Sequence, residues 1–272
     1  MISTAGLPIN LALRVLERER ETFETAIERN TLNAREISAF RERIGSITTV
    51  DQLVDDYEVY SFVMKAYDLE DQMFGKAMMK KVLSSDPLDK TSLINRLTDS
   101  RFKELFNGLG FSENGKANDN TVKPDWVEGL VDRYVEQKLI NDQLSNNESV
   151  GIVLHTARKA PTLTTWYSVL ADTKLQNFFY TALGFPDAMK GTDVDAQVNQ
   201  LKKKFDLDSL KEPGVLEDLT KRYVAIASAN NASAVQSSNP VLQLLGNSGQ
   251  QRSIVSINLS GLTALSASRY MR

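Results

Sequence analysis

Apolar side chains recur at steps of three and four through the first stretch of the chain, as Ile9, Leu13, Leu16, Phe23, Ile27, Ala34, Ile37 and Ile44. That spacing draws one apolar stripe along a helix, with the charged run Glu17 to Glu21 on the solvent side. Asn33 followed by Glu36 reads as a capping box, so the stretch divides near Thr31 and Leu32 into a helical hairpin. Such a hairpin either packs on its own domain or offers its stripe to a partner as a coiled coil. Leu13, Leu16, Phe23 and Ile27 are the partner-facing candidates.

The same periodicity continues. Thr49 with Gln52 opens a helix whose stripe is Leu53, Tyr57, Tyr60, Met64 and Tyr67, and further helices are predicted over 70–83 and 99–109. The polar stretch 112–123 is a loop, and Pro124 suits the first turn of a helix carrying Trp126, Leu130, Tyr134 and Leu139. Helices are also predicted over 148–159, 163–171, 172–183, 193–205 and 214–229, with strand-like alternation scarce before Ser253. From Asn230 to Gln251 the composition turns to Asn, Ser, Gly and Gln, which reads as a linker. Beyond it, Ile254, Ile257 and Leu262 sit in a weakly apolar tail and are the second set of partner-facing candidates. The expectation is an all-α chain in three segments: an N-terminal amphipathic segment (1–48), a helical core (49–229) and a flexible C-terminal arm (230–272).

Within the core the chain resembles itself. Asp56 begins DYEVYSFVMKAYDL, Asp99 begins DSRFKELFNGLGF and Asp172 begins DTKLQNFFYTALGF; VEGLVDRYV from Val127 also aligns with LEDLTKRYV from Leu216. Each of the three reads as an Asp N-cap and a short helix with an apolar face, and the last two end at a glycine followed by Phe. The core is thus predicted to be an irregular bundle built on a repeated short-helix unit, with Asp56, Asp99 and Asp172 as its structural caps.

The D-x-x-[VLF]-x-x-[FL] helix ending near Leu-Gly-Phe, with RLTDSRF at Arg96 to Phe102 and the two Arg-Tyr-Val segments, resembles a bacterial family of unknown function often encoded in flagellar gene clusters. The resemblance spans roughly Thr49 to Val224. It implies a flagellar association and carries over no catalytic residue.

Composition narrows the chemistry. The 272 residues include 32 Lys+Arg, 35 Asp+Glu, one His and no Cys. Zero Cys removes disulfides, thiolate nucleophiles, iron–sulfur clusters and sulfur-ligated zinc, and one His removes multi-His metal centres within a chain. A net charge of −3 gives no global case for nucleic-acid binding. No apolar run reaches the ~18 residues of a membrane span. The N-terminus lacks the basic start and apolar core of a secretion signal, so the expected location is the cytoplasm, or the flagellum by export without a cleaved signal peptide.

Individual motifs read as structure. GFSENGKA, Gly110 to Ala117, fits the spacing of a phosphate loop, yet it follows an amphipathic helix and places Ala117 where a hydroxyl should bind magnesium. His155 reads as a half-buried or surface residue near a helix C-terminus. The pairs Asp55/Asp56, Asp193/Asp195 and Asp206/Asp208, the cluster Asp68/Glu70/Asp71 and the run Lys202 to Lys204 fit helix ends and solvated turns. No cofactor is expected. The predicted function is a non-enzymatic structural or assembly component of the flagellum, contacting other flagellar or export proteins or itself, without nucleic-acid binding or membrane insertion. The alternatives are a cytoplasmic adaptor or export chaperone and, more remotely, a carboxylate-dependent hydrolase.

Overall fold

The computed structural model describes residues 3–238, so the tail candidates Ile254, Ile257 and Leu262 lie outside the described residues. The described residues up to 228 form one compact unit. Among the described residues the chain is all-α, with no strand and one isolated bridge between Ser112 and Ala117. No helix among them is long and apolar enough to cross a membrane.

The N-terminal stretch forms α1 (Ile9–Arg18), α2 (Arg20–Glu28) and α3 (Thr31–Arg43). Its final break falls at Thr31 but rests on a different cap: Asn30 Oδ1 accepts from the amides of Leu32 at 3.0 Å and Asn33 at 3.4 Å. Asn30 is extended at ψ 130° whereas Asn33 is already helical, and the Asn33 side chain donates to Ile27 O at 3.0 Å. The boundary placed at residue 48 falls inside one hydrophobic cluster, which includes Ile9, Leu16, Ile27, Ile37 and Ile44 together with the later helices.

At Asp56 the capping reading holds, and the single helix expected from Thr49 to Tyr67 is divided there. The helix opened by Thr49 ends after six residues as α4 (Val50–Asp55), and Asp56, extended at ψ 99°, caps α5 (Tyr57–Ala66). Thr49 and Gln52 do form a capping box, with Gln52 N donating to Thr49 Oγ1 at 3.2 Å and Thr49 N to Gln52 Oε1 at 3.1 Å. Likewise the helix predicted over 70–83 is a 3-10 turn, then a break before α6 (Lys76–Leu83). Next come α7 (Leu93–Arg96) and α8 (Ser100–Leu109). Pro124 opens α9 (Pro124–Asn146), which turns back at Asn147 into α10 (Glu148–Lys159). The unit then runs through α11 (Trp166–Ala171), α12 (Thr173–Leu183) and α13 (Val194–Lys204) into α14 (Val215–Ser238).

The α9–α10 hairpin is the spine. Its tight return needs Gly151, because a Cβ there would stand 2.5 Å from the backbone nitrogen of Leu144. Helix α5 packs on α9, α3 on α5, and α2 on α9, while α12 lies on α10. Phe62 of α5 stacks between Phe40 of α3 at 4.2 Å and Tyr134 of α9 at 4.4 Å, which joins three helices through one aromatic column. At the foot of that column the Tyr134 hydroxyl donates to Glu36 Oε2 at 2.9 Å, and Lys65 Nζ donates to Glu36 Oε1 at 2.6 Å.

Asp56, Asp99 and Asp172 each stand at a helix N-terminus and accept first-turn amides: Asp56 from Val59 at 3.2 Å, Asp99 from Arg101 at 2.9 Å, Asp172 from Lys174 at 2.9 Å. At the other end, α8 and α12 stop on Gly110 at φ 66° and Gly184 at φ 69°, whereas α5 has no glycine there and Asp68 takes the left-handed turn at φ 58°. The likeness is local, since the three helices pack on different neighbours: α5 on α9, α8 on α6 and α7, α12 on α10.

Phe62 is 1% exposed and filled on both faces, so Phe62→Ala leaves a cavity that the stack cannot close. Urea denaturation should show a loss of about 3–5 kcal/mol; a loss below about 1 kcal/mol would mean that the column does not join the helices.

Candidate functional site

The N-termini of α8 and α12 meet at a polar cleft of about 150 Å³ whose lining includes Asp68, Asp99, Arg101, Asp172 and Lys174. Two of the three Asp caps therefore come together, although they are far apart in sequence; Asp56 lies elsewhere and pairs with Arg43 at 2.6 Å. Arg101 closes one side of the cleft. Its Nη2 donates to Asp99 Oδ2 at 2.8 Å, while Nη1 donates to Asp68 O and, at 3.2 Å, to Asp71 Oδ1. Burial weakens the Arg101 charge less than Asp99 and Asp71 strengthen it, so its pKa is raised. Lys174 Nζ donates to Asp68 Oδ2 at 3.2 Å from the α12 side.

Behind the cleft, His155 of α10 is 1% exposed, and its Nε2 lies 2.7 Å from Asp172 Oδ2. Since Asp172 Oδ1 already accepts the amides of Lys174 and Leu175, one carboxylate caps α12 and ties it to α10. An ionised carboxylate only accepts, which puts the shared proton on Nε2. Burial pushes the Asp172 carboxyl up, but the His155 hydrogen bond and charge together with the Leu175 amide outweigh it and bring the pKa to about 2. His155 Nδ1 is enclosed without a partner.

A second polar centre lies on the inner side of α8. Glu104 accepts from Lys159 Nζ of α10 and Arg133 Nη2 of α9, each at 2.6 Å. Lys159 is 3% exposed and Glu104 16%, so this is an ion pair closed off from water. Burial favours the neutral form of Glu104, yet the two cations prevail and its pKa is lowered. Arg133 also lies over the Tyr67 ring at 4.2 Å.

This arrangement fixes charges in place. General acid–base work calls for a carboxyl poised near neutral pH, whereas Asp172 and Glu104 are shifted downward. Among the described residues, no group of three or more His, Cys, Asp or Glu is disposed to hold a metal ion. Gly110 ends α8, and the turn that follows is spent on capping: Gly115 O accepts from Val50 N at 2.9 Å, and no helix opens before Pro124. Of the other acidic pairs, Asp193 caps α13 and Asp206 caps a 3-10 turn, while Asp195 accepts from the Tyr167 hydroxyl at 2.7 Å and Asp55 pairs with Lys80 at 3.3 Å. Lys202 to Lys204 form the last turn of α13. Trp126 Nε1 donates to Gly108 O at 2.9 Å, and Trp166 packs edge-on against Phe179 at 5.2 Å.

His155 is a correction, being wholly buried where a half-buried or surface position was expected. The reason is its bond to Asp172, seventeen positions on. Its sequence trace was slight: His155 and Lys159 stand one turn apart and share the inner face of α10. Of the hairpin residues, Leu16 and Ile27 are 4% and 7% exposed and belong to the chain's own core. Leu13 and Phe23 are half-buried against that core.

The fold and this cleft define an all-α protein whose charges at the meeting of α8, α9, α10 and α12 are matched within the chain. The chain belongs to the family described as "Protein of unknown function (DUF1217)", which it matches over residues 66–216. It is similar to a crystal structure of a protein from Agrobacterium tumefaciens, with 28% identity and a TM-score of 0.72, covering 85% of this chain and 97% of that one. No curated protein matches it.

Asp172→Asn keeps a capping oxygen and removes the charge. Because the folded pKa of about 2 lies below the ordinary value of 3.8, the charge stabilises the fold above pH ~4, and this is lost as pH falls toward 2. The Asp172→Asn variant is therefore expected to lose about 2 kcal/mol at pH 7 by urea denaturation, with the deficit vanishing near pH ~2. A deficit that stays constant with pH would refute the ionic assignment.

Proposed function

We propose that this chain is a non-enzymatic structural or assembly component associated with the bacterial flagellum, acting through contacts with other flagellar or export proteins or with itself. The observation that carries the reading is the contrast between its two kinds of surface. The charges at the meeting of α8, α10 and α12 are matched internally, while large apolar side chains stand in solvent: Phe74 is 100% exposed, Leu88 89%, Leu32 68% and Tyr57 64%. Single exposed apolar residues are common on folded surfaces, and among these Phe74 is left wholly free to meet a partner. The flagellar assignment rests on the capped-helix and Arg-Tyr-Val motifs. Membership of a family of unknown function agrees with that kinship and adds no activity.

Phe74→Ser tests the contact without disturbing the fold, since Phe74 lies wholly outside the core. Its stability should stay within about 0.5 kcal/mol of wild type. In a deletion strain complemented with wild type or Phe74→Ser, wild type should restore motility and co-sediment with basal bodies, and the variant should do so poorly. Recovery of the wild-type protein only from the cytosol, with motility restored, would favour an adaptor or export chaperone. Full motility in the deletion strain would refute the flagellar role.

A further inference from the structure

Arg158 of α10 is a buried cation with no carboxylate in hydrogen-bond range among the described residues. Its side chain is 7% exposed. Nη1 donates to Gln137 Oε1 and Nη2 to Ala66 O at 3.1 Å, both neutral acceptors, and Nε has no partner. Glu136 Oε2 stands off at 3.9 Å because Glu136 Oε1 is taken by Arg20 Nη2 at 3.1 Å. Burial and the like charge of Arg133 both press on the Arg158 guanidinium and lower its pKa. A buried donor without a hydrogen-bond acceptor, on a charge whose ion-pair partner stands off at 3.9 Å, is an unusual thing for a fold to retain.

Beside it lies a cavity of about 190 Å³, bounded by Arg20, Glu136 and Arg158 at its polar end and by Leu139, Ile140 and Leu154 elsewhere. That volume is the room of about six water molecules. Two guanidiniums border it, one with its fork turned to Glu24 and Glu136 and the other held by Gln137 and Ala66, and the remaining walls are hydrocarbon. We propose that this cavity binds a carboxylate carried on a short aliphatic chain, with its oxygens between Arg20 and Arg158 and its methylenes against Leu139, Ile140 and Leu154. A free short-chain fatty acid and the C-terminal carboxylate of a peptide ending in leucine share this chemistry. Glu136, itself 36% exposed on its side chain, is the internal group that the ligand displaces from the two arginines. The site stands independently of the assembly role, and either can fail without the other.

The test is isothermal titration of the full chain with hexanoate and, separately, with the peptide Gly-Gly-Leu as free acid or amide; hexanol serves as the uncharged control. Binding of hexanoate alone identifies a free acid as the ligand, and binding of the free-acid peptide alone identifies a protein terminus; both outcomes support the site. Arg20 is half exposed, so Arg20→Gln keeps the fold, and it should weaken binding about tenfold. Glu136→Gln removes the competitor and should strengthen binding about threefold. The proposal is overturned if neither acid binds wild type, if hexanol or the peptide amide binds as well as its acid counterpart, if Arg20→Gln has no effect, or if Glu136→Gln weakens binding.

Discussion

A single carboxylate, Glu104, holds the charge balance on which the helix packing rests. Lys159 is almost wholly shielded from water with Glu104 2.6 Å away, while Arg133 takes the other oxygen at the same distance. The three residues come from α8, α10 and α9, so the ion cluster fixes where α8 sits against the α9–α10 hairpin. That hairpin depends in turn on the missing Cβ of Gly151, and α5 and α3 are set against it by the Phe40–Phe62–Tyr134 column. A buried pair of this kind adds little net stability over an apolar replacement, but losing one member leaves a charge stranded. The arrangement specifies one packing far more strongly than it stabilises it.

The same economy shapes the polar cleft. Asp99 and Asp172 bring two helix N-termini side by side, with Arg101 and the Lys174 amide answering them from the first turns of α8 and α12 and His155 answering Asp172 from α10. The Asp172 carboxyl, with its pKa brought down to about 2, is ionised over the whole physiological range. They suit the joining of helices better than proton transfer, which is why the apolar groups left in solvent carry the functional proposal. Where the matching fails, at Arg158 Nε, it fails beside a cavity.

Much of the helical frame could be read from the chain, because three- and four-residue apolar spacing and side-chain caps are local signals. The Thr49–Gln52 box, the Pro124 start and the amide bonds of Asp56, Asp99 and Asp172 all arise within a few residues. Local signals also misled: Asn33 and Glu36 have the capping spacing, yet Asn30 reaches the extended conformation first and takes the role. At Asp56 two local signals compete, since the stripe from Leu53 to Tyr67 keeps its period across the junction while the Asp cap marks the break that the chain takes. The meeting of Asp99 with Asp172 and the pairing of Lys159 with Glu104 depend on the α8–α10–α12 packing. A single sequence shows at most that His155 and Lys159 share the inner face of α10 with apolar residues.

The central claim is that the buried ionisable groups where α8, α9, α10 and α12 meet serve the packing of this chain. Glu104→Gln tests it most directly, since glutamine keeps the size and removes the charge that Lys159 needs. Equilibrium urea denaturation at pH ~7 should show a loss of about 3–5 kcal/mol. A variant within about 0.5 kcal/mol of wild type would contradict the claim, because a buried carboxylate that the fold can do without is kept for some other purpose.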